Sequence, residues 1–160
     1  LSEDILIDEG LAKEERYKQL LPQIKSLVAD ETDVVANMAN ICAVLKYNMP
    51  GFFWVGFYIV EENDLVVGPY QGPLACTRIQ IPNGVCGAAA RQAETIIVPE
   101  VNKFPGHIAC SSLSKSEIVV PIVRNGKVFG VLDVDSESPG MFDEIDEKYL
   151  GEICGMINFV

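Results

Sequence analysis

Three of the five cysteines, Cys76, Cys86 and Cys110, fall in or beside loop-like segments where a thiol can be reached and can react. Cys86 opens a short helical segment, and backbone N–H dipoles at such a start would lower its thiol pKa. Cys110 follows the lone histidine, His107, by three residues in a long polar stretch. Cys42 and Cys154 lie in line with the apolar faces of helices and read as core residues. An odd cysteine count without a secretion signal argues against a permanent disulfide framework and for free thiols in a reducing compartment. A zinc site would have to gather Cys76, Cys86, His107 and Cys110. Their only close spacing is His107-Ile-Ala-Cys110, so no structural metal is expected.

Carboxylates offer the second chemical possibility. In Gly130-Val-Leu-Asp-Val-Asp135 a strand would put Leu132 and Val134 on one face and Asp133 and Asp135 on the other, with the two acids roughly 6–7 Å apart. If solvated, they are the wet side of a sheet. If enclosed, mutual repulsion raises one pKa and leaves a neutral acid beside a charged one. Glu117 opens the neighbouring strand and would complete a three-carboxylate cluster, able to hold an ammonium group and to protonate an oxygen. Trp54 and Tyr58 share one face of another strand. Such pairs ordinarily pack a core, but beside an acidic cluster they would wall a small ligand with an apolar end.

The elements needed to position these groups are legible in the periodicity. A helix is expected over Glu14 to about Ala29, with Leu20, Leu21, Ile24, Leu27 and Val28 inward and Pro22 as a kink or a start. Asp30 and Thr32 offer N-caps for a second helix, with Val34, Val35, Met38, Ile41, Cys42 and Leu45 inward, ended by Asn48-Met-Pro-Gly51. Phe53–Val60 and Leu65–Tyr70 form a hairpin, followed by a short strand at Thr77–Ile81, a turn at Pro82-Asn-Gly84 and a helical Val85–Gln92. After a strand at Thr95–Pro99 comes a polar loop over 100–116, long enough to suggest a site. Glu117–Arg124 and Val128–Asp135 pair through Asn125-Gly126, a type I′ signal. An amphipathic helix closes the chain from about Phe142 to Ile157. The order ααβββαβββα implies an α+β fold with a largely antiparallel sheet.

Composition narrows the function classes. The 160 residues are 49% hydrophobic, enough to bury a core as one domain, here read as helices over 1–48, sheet and active-site loops over 49–136, and a terminal helix over 137–160. The formal charge is −11, with −4 in residues 1–50, zero in 51–132 and −7 in 133–160. No Lys/Arg stripe exists to receive phosphates, so neither nucleic acid nor an anionic membrane is an expected partner. The acidic run Asp143–Glu152 reads as a solvated helix face. The longest uncharged stretches are too short to span a bilayer. No secretory signal is recognisable, and a cytoplasmic location is expected. No P-loop, G-x-G-x-x-G or G-x-S-x-G occurs.

Together these residues bring a family into view. The sequence closely resembles the free methionine-(R)-sulfoxide reductases, a branch of the GAF-domain fold. The resemblance rests on Trp54-Val-Gly-Phe-Tyr58, Gly68-Pro-Tyr-Gln-Gly72, Ala75-Cys-Thr-Arg78, Gly84-Val-Cys-Gly87, Pro105-Gly-His-Ile-Ala-Cys110, Ser114-Lys-Ser-Glu-Ile-Val-Val-Pro121 and Gly130-Val-Leu-Asp-Val-Asp-Ser136. Ser111 and Pro99-Glu100 depart from the family's common residues without touching a reacting group. The resemblance implies a single GAF-like domain and an enzyme without metal or bound cofactor. Cys110 would be the nucleophile, Asp135 the acid, and Glu117 and Asp133 would hold the substrate, with Trp54 and Tyr58 at its S-methyl end. A second thiol would close a disulfide with Cys110, for thioredoxin to reduce. Both Cys76 and Cys86 accompany Cys110 in the resemblance. Cys76 is the expected partner because its loop, Gly72-Pro-Leu-Ala-Cys76, can move, and Cys86 is the alternative. Similar proteins are often dimers, so a homodimer is a possible state. Two other classes compete: a ligand-binding GAF sensor, for which 160 residues leave no output module, and a thiol redox switch, which leaves the three carboxylates unexplained.

Overall fold

The computed structural model describes residues 4–159. In chain order its elements are α1 (Lys13–Val28), α2 (Val34–Asn48), β1 (Trp54–Glu61), β2 (Asp64–Gln71), β3 (Arg78–Gln80), α3 (Gly84–Gln92), β4 (Ile96–Val98), a 3-10 turn (Val101–Lys103), β5 (Ser116–Arg124), β6 (Lys127–Ser136) and α4 (Glu144–Gly155). The expected order is found. The strands form one six-stranded sheet, β3-β2-β1-β6-β5-β4, with antiparallel neighbours throughout. Asn125 and Gly126 both carry positive φ in the β5–β6 turn, the backbone that a two-residue I′ hairpin needs.

Side-chain alternation gives the sheet two buried faces. On one, Val55, Phe57, Ile118, Val120, Ile122, Leu132 and Val134 meet Tyr17, Leu20, Ile24, Met38, Ile41, Cys42, Leu45, Leu150, Ile153 and Cys154 from α1, α2 and α4. On the other, Trp54, Tyr58, Val119 and Val131 meet Val85, Cys86 and Ala89 of α3. Cys42 and Cys154 are free and buried in the helical core, as their positions in the sequence suggested. Among the described residues, no helix is long and apolar enough to cross a membrane.

Several local expectations are corrected. Asp33, not Asp30 or Thr32, caps α2, accepting the Ala36 N–H at 2.8 Å. Val35 and Leu27 point to solvent. In place of Val35, Asn37 is buried, its side chain donating to the Glu31 carbonyl. Pro22 sits inside a continuous α1. The acidic α4 is not uniformly solvated either. Asp146 is fully buried, accepting from Lys13 Nζ at 2.6 Å and from Tyr17 OH at 2.7 Å, and it forms a capping box with Asp143. Burial alone would lower the Lys13 pKa, but its bonds to Asp146 and Asp143 outweigh this and raise it. That ion pair ties the start of α1 to the start of α4.

Candidate active site

The start of β1, the start of β5 and the end of β6 meet at one edge of the α3-covered face. Trp54 lies opposite Asp135, Gly56 opposite Asp133, and Glu117 opposite Asp135 on the other side. The strand pleat aims Trp54, Tyr58, Glu117, Asp133 and Asp135 at the same face, where apolar neighbours would be the default. Gly56 stands between the two aromatics on β1, and a Cβ there would collide with the Trp54 ring and Tyr70. Its absence lets Trp54 stack between Tyr70 and Tyr58, with centroids at 5.2 and 6.0 Å.

Above this floor two loops meet. The 72–77 loop carries Cys76, and the loop before β5 carries Cys110; a disulfide joins them, with Cα atoms 5.4 Å apart. The sequence did not reveal how the first loop is held. Trp54 Nε1 donates to the Pro73 carbonyl and Tyr58 OH to the Cys76 carbonyl, each at 3.0 Å. Thus the aromatic walls also anchor the strand of chain that presents Cys76. The second loop is anchored by Val101 N–H to the Lys115 carbonyl and by Lys115 N–H to the Ser136 carbonyl.

Between floor and loops lies a cleft of about 550 Å³, counted to its open mouth. Seven of the eight site residues expected from the sequence line it directly; the eighth, Cys76, does not, although its neighbour Ala75 does. Asn83, His107, Ile108 and Ser114 join them, of which the sequence had drawn attention only to His107, as a metal ligand. Ser114 lines the cleft with Asp135 and favours its charged form, a role its position in a polar loop did not disclose.

Among the described residues, no Lys or Arg lines the cleft. Glu117 and Asp133 are buried (5% and 6% exposed), and among the described residues Asp133 Oδ1 has no hydrogen-bond partner. Burial and the nearby Asp135 charge push the Glu117 pKa up to about 8. Burial and Glu117 hold Asp133 well above the usual carboxylate range. Burial and Asp133 do the same to Asp135, against the opposing influence of Ser114. Near neutral pH the cluster therefore retains protons and can release one to a reacting oxygen.

Cys86 corrects the expectation of a low thiol pKa. Although it lies in the first turn of α3, its Sγ sits 3.8 Å from Glu117 Oε1 and burial beside three carboxylates raises its pKa well above 9.0. A helix dipole contributes about 0.3–1 kcal/mol, whereas full burial shifts a pKa by up to about 3–5 units at 1.36 kcal/mol each. Desolvation wins. His107 Nε2 lies 3.7 Å from Glu117 Oε2, and burial lowers its pKa, so it is neutral near pH 7. The zinc set of Cys76, Cys86, His107 and Cys110 is not assembled, since two of its sulfurs are bonded to each other.

Comparison with known proteins agrees with this geometry. The GAF domain family model matches residues 28–159. The chain is 57% identical over 159 residues to GAF domain-containing protein A of Dictyostelium discoideum, covering 99% of each. It is 43% identical over 157 residues to free methionine-R-sulfoxide reductase of Saccharomyces cerevisiae, covering 93% of this chain and 87% of that one. An X-ray structure of free methionine-R-sulfoxide reductase from Neisseria meningitidis in complex with its substrate superposes with a TM-score of 0.92 at 53% identity, covering 95% of this chain and 92% of that one.

Proposed function

The chain belongs to the free methionine-R-sulfoxide reductase family of GAF-domain proteins, and from that premise we propose that it reduces free methionine-(R)-sulfoxide to methionine with Cys110 as the attacking thiol. The observation that carries this reading is that Cys110 shares one cleft with three protonatable carboxylates and, among the described residues, with no Lys or Arg. A zwitterionic amino acid supplies the missing cation. Its ammonium group is held by Glu117 and Asp133, and its S-methyl end lies against Trp54 and Tyr58.

The sulfoxide oxygen is a poor leaving group until it is protonated. Asp135 gives it a proton as Cys110 Sγ attacks the sulfur. The oxygen then passes from the substrate sulfur to Cys110 Sγ as the bond between the two sulfurs breaks, so methionine leaves as the thioether and Cys110 is left as a sulfenic acid. The Cys76 thiol condenses with that sulfenic acid, forming the disulfide and releasing water. The Cys76–Cys110 bond is then the oxidised end of one turnover. A thioredoxin-type dithiol restores both thiols by exchange. Cys86 stays reduced on the cleft floor through this cycle.

Substrate scope tests this reading. A peptide-bound methionine sulfoxide has an amide where the ammonium should be, and it leaves buried carboxylates unmatched. That mismatch costs several kcal/mol, on the order of thousandfold in kcat/KM. With dithiothreitol as reductant, free methionine sulfoxide should be consumed and the N-acetyl derivative should not. Equal rates on the two would overturn the assignment of the carboxylates. Tight binding without any turnover would instead support a ligand sensor.

A further inference from the structure

The cleft floor holds one group of side chains whose chemistry the proposed reduction does not exhaust. Cys86 Sγ, a Glu117 oxygen and an Asp133 oxygen all lie within 4.8 Å of one another, and all three residues are buried. The Cys86–Glu117 separation is 3.8 Å. Tetrahedral zinc with bonds of about 2.0–2.3 Å spaces its ligand atoms about 3.3–3.7 Å apart, so small side-chain rotations of about 1 Å would close the set. Asp133 Oδ1 is buried and has no hydrogen-bond partner, an acceptor left open inside the group. His107 Nε2 lies 3.7 Å from Glu117 Oε2 but stands outside this close group of three.

We infer that Cys86, Glu117 and Asp133 form a zinc-binding site on the floor of the cleft. The donors select the metal. A thiolate with two carboxylates suits a borderline-soft cation, whereas Mg2+ and Ca2+ take oxygen ligands. Binding releases the protons of these groups, and among the described residues no Lys or Arg lines the cleft to compete with a dication. The same oxygens hold the substrate ammonium in the proposed reduction, so on that reading zinc and free methionine sulfoxide exclude each other, and zinc acts as an inhibitor. The site survives in the oxidised chain, because Cys86 is outside the disulfide.

That last point supplies a test independent of turnover. Oxidised protein, with Cys76 and Cys110 locked in their disulfide, is titrated calorimetrically with zinc chloride, and separately with Co2+ to look for thiolate-to-cobalt charge-transfer absorption. The expected result is one metal per chain with that absorption. Cys86→Ser and the near-isosteric Asp133→Asn should each weaken binding at least about tenfold, the smallest loss that even changes outside the ligand shell produce. Cys154→Ala, in the helical core, should bind as the parent does. Unchanged zinc affinity in both Cys86→Ser and Asp133→Asn, or no binding by the oxidised parent, overturns the site. Either result would leave the reductase reading untouched, since no turnover is read.

Discussion

On the helix side of the sheet Asp146 is fully buried, with Lys13 Nζ at 2.6 Å, Tyr17 OH at 2.7 Å and the Asp143 N–H at 3.0 Å donating to it. On the cleft side Asp133 is almost as deeply buried, but one of its oxygens has no partner and its neighbours are Glu117 and Asp135. A charge taken out of water costs several kcal/mol unless a partner restores it. Asp146 has its cation within the chain and works as a structural tie between α1 and α4. Glu117, Asp133 and Asp135 lack one, stay protonated, and are poised for a ligand that brings the cation or needs the proton. Burial alone does not separate the two roles; the presence or absence of an internal cation does.

The largest effects should fall on the cleft side. Cys110→Ser should yield no methionine even in a single turnover, measured by product chromatography with pre-reduced protein. Asp135→Asn keeps the shape but removes the proton, so kcat should fall at least about 100-fold, the usual scale of lost acid catalysis. A near-normal kcat in that variant would move the proton source to Glu117 or Asp133.

Swapping the test across the sheet sharpens the contrast. Lys13→Met leaves Asp146 buried without its cation and should cost about 3–5 kcal/mol in urea unfolding, with turnover per folded molecule retained. Asp133→Asn should reverse that pattern, with stability held or gained and turnover lost. If Lys13→Met were harmless to stability, the division between the two acids would fail.

Stability against pH reads the cleft acids a third way. Glu117 ordinarily titrates at 4.5 and in the folded protein near 8, so the fold keeps a proton that the unfolded chain has lost across that window. Its stabilising contribution is complete below about 4.5 and is lost as pH rises through about 8, by at most about 1.4 kcal/mol per unit. Asp133 and Asp135 act with the same sign. Urea midpoints should therefore fall from pH 6 to pH 8, and Glu117→Gln should flatten that slope. The smallest effects belong to the core thiols. Cys42→Ala and Cys154→Ala should each cost about 1 kcal/mol by unfolding and leave kcat unchanged.

Much of this architecture was legible because it rests on local periodicity. Alternation placed Asp133 and Asp135 together opposite Leu132 and Val134, and Asn125-Gly126 marked its hairpin. What was hidden depends on distant partners. Asp146 reads as one more solvated acid until Lys13 and Tyr17, some 130 residues earlier, are folded against it. Cys86 reads as a helix-start thiol until β5 and β6 bring their carboxylates beneath it. The hydrogen bonds of Trp54 and Tyr58 to the Cys76 loop are likewise long-range. Val35 and Leu27 fit an inward stripe by spacing, yet the helices rotate those edges to solvent.

The most direct measurement is a single turnover of pre-reduced protein on racemic free methionine sulfoxide with no added reductant. The products are read by chiral chromatography and by mass spectrometry of the non-reduced peptides. The expected result is methionine equal to the amount of protein, formed from the R epimer alone, with a peptide pair joined through Cys76 and Cys110. Consumption of the S epimer, methionine formation by Cys110→Ser, or a dominant Cys86–Cys110 peptide would contradict the assignment of these residues.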